Sequence, residues 1–261
     1  MKRMKRITKF LLNLTSVSSM LLIATLNASQ FAVMGQVNPN VPDKPRTQSG
    51  GPRFVQPNEE PLPGHLQRAT RRIGKCEKGK IKLTALVPEN HIGRTVSEYP
   101  VFFFYLPETE AQLAEFVLQD ENGNLIYQTT LKINNSSGVI GVSIPANKNV
   151  SPLQLGKNYR WSVALICDTE DRSADVLETG IVRRVELSAD IRSQLDQANS
   201  RDKAVIYAQN GIWQDALITL AAARRANPND AQLAADWKSL LDSVKLSEIA
   251  GEAIVKIEPQ Q

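Results

Sequence analysis

Few residues in this chain have the types and spacing that could do chemistry. The densest polar group is Asp168, Glu170, Asp171, Arg172 and Asp175, confined to one short stretch. Oxygen-rich loops can hold a calcium ion or a polar ligand, and loops at the ends of rigid scaffolds often carry binding residues. The EF-hand pattern, with Gly at its sixth position and Glu at its twelfth, is absent here. The simpler reading is a turn in which Arg172 pairs with an acid and the aspartates satisfy backbone N–H groups. If the stretch does bind something, these five residues are the expected contacts. A second group is Glu89, His91, Glu98 and Glu108, each close to a proline. Paired carboxylates can serve a glycosidase as acid and base when they face one another across roughly 5–10 Å. A Ser-His-Asp triad within residues 76–187 would have to use His91. No G-x-S-x-G elbow, H-E-x-x-H helix, phosphate-binding loop or dinucleotide fingerprint occurs. No catalytic residue, metal ligand or cofactor is therefore assigned.

These residues must be positioned by the rest of the chain, whose charge is unevenly distributed. The 261 residues carry a net charge of +4. Residues 1–35 hold five basic residues and no acid, and residues 36–75 hold seven basic and three acidic residues. Residues 76–186 hold 11 basic and 14 acidic, and residues 187–261 hold 8 and 10. The whole excess lies before Cys76, which argues against a nucleic-acid partner for the remainder. Residues 1–35 read as a secretory signal: Lys2 to Lys9 form a basic start, an apolar stretch runs from Phe10 to about Leu26, and small residues follow. The stretch contains Asn13, Thr15 and Ser16 and falls short of the roughly 20 apolar residues of a spanning helix. No membrane span is expected once it is removed.

Residues 36–75 are expected to form a disordered linker, Pro-rich and then basic. Residues 36–64 contain 7 of the 14 prolines, and proline at that density removes N–H donors and prevents regular pairing. The basic part, from Arg68 to Lys75, is either a solvated lead-in or a contact for anionic headgroups or acidic polysaccharide.

Residues 76–187 predict about seven short strands with no intervening helix. Val101–Leu106 is a continuous apolar run between two prolines, and Asn122-Gly123 is a hairpin signal. Such spacing predicts an antiparallel β-sandwich of the immunoglobulin or fibronectin III kind. The segment from Leu153 to Val163 is similar to the tyrosine corner of those domains, with Tyr159 as its tyrosine. Tyr159, Trp161, Val163, Leu165 and Cys167 share one strand face. Trp161 reads as core, with ligand stacking as the alternative. Cys76 and Cys167 are the only cysteines. In an exported chain they are expected to pair, closing a loop worth about 4–5 kcal/mol in the chain-entropy model.

After Leu187 the pattern becomes helical, over residues 188–255. Ser188 is the expected first N-cap. Ala204, Tyr207, Gly211, Trp213, Ala216, Leu220, Ala223 and Pro228 have the spacing of a single tetratricopeptide-like helical hairpin. A third helix, carrying Leu233, Trp237, Leu240 and Leu241, is expected to cap it. The chain as a whole is α+β: a sandwich followed by a small all-α module.

Three segments carry a family resemblance: LTALVPE (83–89), TVSEYPVFFFYLPE (95–108) and YRWSVALICDTEDRSADV (159–176). Together with GIWQDALITLAAARRANPND (211–230), they resemble a secreted cyanobacterial family, domain of unknown function 928. The resemblance implies export from a bacterium with two membranes and assigns no activity. The expectation that follows is an exported, non-catalytic binding or scaffold protein of the cell envelope, with an envelope protein or glycan as partner. The alternative is a carbohydrate-active or other hydrolase using the acids at strand ends.

Overall fold

The computed structural model describes residues 51–58, 76–134, 137–147 and 149–255. The expected signal segment lies outside them, and of the expected linker only residues 51–58 are included. The described residues fall in one compact unit, Arg46–Gln261.

Two sheets form the first part. The smaller contains β1 (Thr84–Ala85), β3 (Val101–Leu106), β6 (Gly138–Ser143) and β9 (Ile254–Val255), in that order. The larger is ordered β2 (Ile92–Thr95), β8 (Val176–Arg184), β7 (Asn158–Ile166), β4 (Leu113–Asp120), β5 (Leu125–Lys132). Helices α1 (Ala189–Gln197), α2 (Ser200–Gln209), α3 (Trp213–Ala226) and α4 (Ala231–Asp242) follow. The architecture is α+β, with a sandwich-like part and a helical C-terminal part, as the hydrophobic periodicities predict.

The sheets are mixed, where a purely antiparallel sandwich was expected. β2 runs parallel to β8, and β9 parallel to β6. For β2 the cause is a switch of sheets. The chain pairs with β3 as β1, turns at Glu89–Asn90, and joins the opposite sheet as β2. Periodicity does not announce β2, because Ile-Gly-Arg-Thr is too short to alternate.

The sandwich core is built on Phe102, Phe116 and Trp161, all fully buried, with ring centroids 5.2–6.1 Å apart. Trp161 is core, and the shared face expected for β7 is buried. The tyrosine corner is formed: the Tyr159 hydroxyl accepts the Gln154 N–H at 2.9 Å. At the β4–β5 turn only Gly123 takes positive φ (+85°), while the Asp120 carboxylate accepts the Asn122 and Asn124 N–H groups. Cys76 and Cys167 form a disulfide, Cα atoms 5.5 Å apart, joining the start of the sandwich to the end of β7.

The continuous apolar run of β3 has a specific reason. Phe102, Phe104 and Leu106 face the sandwich core, while Phe103 and Tyr105 face a second core made with the helices. A strand buried on both faces needs apolar residues at every position. Val139 of β6 also joins the second core, beside Trp213, Leu217, Trp237 and Leu240. Ser188 caps α1 by accepting the Ile191 N–H, and Asp230 caps α4. Gly211, at φ +71°, makes the turn between α2 and α3.

Opposite Trp161 in register stands Gly180. A Cβ at Gly180 would lie 2.7 Å from the indole nitrogen and 2.8 Å from the adjoining ring carbon. Gly180→Ala should therefore cost about 1–3 kcal/mol, the usual price of overpacking, read as a lower denaturant midpoint. An unchanged midpoint would show that the ring can move aside.

Candidate functional site: a helical seat that holds an extended segment

The acidic stretch after β7 is tied into the sandwich. Arg172 donates from Nε to Asp175 at 2.6 Å and from Nη2 to Glu115 at 3.2 Å. Buried Asp175 also accepts the Cys167 N–H at 3.2 Å, so its carboxylate steadies the disulfide's backbone. Asp171 caps a single 3-10 turn by accepting the Ser173 N–H, and its carboxyl is held low by the Ser173 hydroxyl and N–H. Asp168 accepts the Glu170 N–H. The fold thus gathers these five residues in one loop and gives each carboxylate but that of Glu170 a named structural bond. No group of three or more His, Cys, Asp or Glu suited to a metal occurs among the described residues.

Two carboxylates of the second group, those of Glu98 and Glu108, are kept apart. Glu98 and Glu108 flank opposite ends of β3, whose six residues span about 20 Å at the usual strand rise. That is well beyond an acid/base pair. Glu98 pairs with Arg184 at 3.1 Å and Glu89 with Lys245 at 2.7 Å. His91 sits at φ +60°, and burial lowers its pKa.

Sequence reasoning missed two features. The first is a seam between β2 and the first turn of α3. Trp213 donates its indole N–H to the Leu86 carbonyl at 2.8 Å. Gln214 packs against Gly93, where a Cβ would stand 3.1 Å from its amide nitrogen. Asp215 accepts the Val96 N–H at 3.1 Å and the Thr95 hydroxyl. Burial pushes the Asp215 carboxyl from 3.8 up to about 6 against those bonds, and the same carboxylate helps raise Tyr207. Trp213 reads as part of the hairpin's spacing, but no sequence signal marks Gln214 or Asp215 or ties any of the three to partners more than 100 positions away.

The second is a strap. Residues 51–58 lie extended on the helices, where a disordered linker was expected. Pro52 is buried and Phe54 half-buried, while Arg53 and Val55 face outward. The Phe54 ring meets Trp213 edge-on at 5.1 Å. The Phe54 N–H donates to the Ser243 hydroxyl, and the Val55 N–H to the Ala208 carbonyl, both at 3.0 Å. The seat is shaped for the strap's backbone: a Cβ on Gly51 would be 2.8 Å from the Asp236 carboxylate, and one on Gly211 would be 2.2 Å from the Pro57 ring. Beneath it, Arg201 of α2 holds the fully buried Asp236 of α4 through two guanidinium nitrogens. The early aromatic within the proline-rich run was the available signal.

A profile described as Domain of Unknown Function (DUF928) matches residues 67–254. The chain belongs to this family. The DUF928 match runs from before β1 to the first residue of β9 and takes in all four helices, and the strap lies before it. No curated protein matches the chain. No helix among the described residues is long and apolar enough to cross a membrane.

The raised Asp215 pKa fixes a pH dependence. Between about pH 4 and 6 the folded chain keeps a proton that the unfolded chain releases, so stability falls as pH rises through this window. A rise of about two pH units corresponds to about 3 kcal/mol. In Asp215→Asn that slope should disappear, and the variant should be the more stable form at pH 7, because its amide oxygen still accepts the Val96 N–H. Urea unfolding of both forms at pH 4.5 and 7 checks this, and equal pH slopes would refute it.

Proposed function

We propose that this DUF928 protein is an exported, non-catalytic binding or scaffold protein of the bacterial cell envelope that makes protein contact through its helical module. The single observation carrying the reading is the strap in its seat. An extended peptide lies on the helices, bonded through its own backbone and anchored by one aromatic ring. Such a seat has the properties of peptide recognition: main-chain hydrogen bonds supply affinity and one pocketed side chain supplies selectivity. The helical hairpin is tetratricopeptide-like in its spacing of small and large residues, a kind of module that commonly serves protein contact.

Export is supported by the Cys76–Cys167 disulfide, since such bonds persist in oxidising compartments. The periplasm or the cell exterior fits that bond, and a basic, apolar N-terminal segment fits the route. An envelope protein is preferred to a glycan because the seat offers backbone-bonding groups to an extended chain.

The test is direct. A fluorescent peptide of residues 49–58 is titrated into the full chain carrying Phe54→Ala, whose own strap has lost its anchor. Binding should be saturable, at least tenfold weaker to the wild-type chain, and abolished when the peptide's own phenylalanine is replaced by alanine. Absence of binding to the Phe54→Ala chain, with its circular dichroism intact, would sink the reading.

A further inference from the structure

The strap's bonds specify its sequence without requiring that it come from the same chain. Its contacts are two backbone hydrogen bonds, the Phe54–Trp213 edge contact, buried Pro52 and the close approaches at Gly51 and Gly211. Pro52 and Pro57 have no N–H to satisfy, and each presets φ for an extended course. Between Asn58 and Cys76 lie 17 residues. Fully extended, they reach about 60 Å, several times the width of a helix. Covalent connection therefore does not dictate which molecule's helices receive the strap. A second copy presents the same strap to the same seat.

We infer that the strap is exchangeable: residues 51–57 of one copy enter the seat of a second copy, and reciprocally, giving a two-fold arm-exchanged dimer. This rests on the reading of the helical module as a protein-contact surface and names a second copy of this chain as the partner. Exchange preserves every strap contact, so no new interface has to be stable by itself. This is the usual low-cost route to a homodimer. The closed monomer competes through its own tethered strap, whose effective concentration across a linker of this size is on the order of 1 mM. The dimer is therefore a species of high local concentration, as when copies are gathered on one surface, and it dissociates on dilution.

Two differently tagged full-length chains are mixed at about 1 mM, cross-linked, and captured through one tag. Mixed pairs should be abundant at that concentration. They should fall at least tenfold when both copies carry Phe54→Ala, and likewise with Gly51→Ala, whose added Cβ meets Asp236 and Ser239. Gly51→Ala changes the strap without touching either core, so it keeps the test valid if Phe54→Ala loosens the helices. Mixed pairs that persist undiminished in both variants would overturn the inference. So would their absence in the wild type, which would mean that the strap serves its own chain only. If the peptide of residues 49–58 still binds in that case, the exchange falls and the peptide-seat reading stands.

Discussion

The first turn of α3 holds the molecule together. Three consecutive residues, Trp213, Gln214 and Asp215, meet the stretch from Leu86 to Val96, in which the chain leaves one sheet for the other. An edge strand beginning at such a crossing has few bonds of its own. Here the crossing gains an indole N–H on the buried Leu86 carbonyl and the Asp215 carboxylate on the Val96 N–H. Trp213 is shared further: one part of its ring bonds the sandwich, and another supports Phe54 of the strap. Its side chain thus joins the sheets, the helices and the N-terminal segment, which no contact within a single element could do.

Much of this was legible because it is written in local periodicity. Strands β3 to β8 appear in the sequence as apolar runs bounded by proline, glycine or Asn-Gly, and the helices as stripes at a spacing of three and four. Tyr159 and the pairing of two solitary cysteines follow from residue type and parity. The remainder depends on partners far away in sequence. β2 is four residues with an arginine and a glycine, and it exists because β8 and α3 lie beside it. The polar residues Gln214 and Asp215 look like an exposed helix face until Gly93 and Val96 are placed against them. The strap reads as disorder because proline blocks pairing in a sheet. It is ordered because a serine hydroxyl and a helix-end carbonyl accept two of its N–H groups and Phe54 packs on Trp213.

The acidic loop shows the opposite lesson. Its composition suggests a ligand site, yet Asp171 and Asp168 close turns, and Asp175 with Glu115 fixes Arg172 across the sheet. Clustered charge here serves the end of β7 and the disulfide beside it. In the helical module a partly buried pair, Arg201 with fully buried Asp236, ties α2 to α4. Removing one partner of such a pair generally costs more than the pair contributes, so it constrains how the helices align beneath the strap.

The disulfide also determines where mechanical load travels. Tension applied to the chain ahead of residue 51 first meets the strap, whose few bonds can open one after another. Once the strap peels away, force enters the sandwich at Cys76 and crosses the disulfide directly to the end of β7. The residues between the two cysteines, which include β1 to β7, are bypassed along the covalent path. The protein is built as a weak latch in series with a covalently shielded body, and a pull on its N-terminal side would release the first while leaving much of the second at rest.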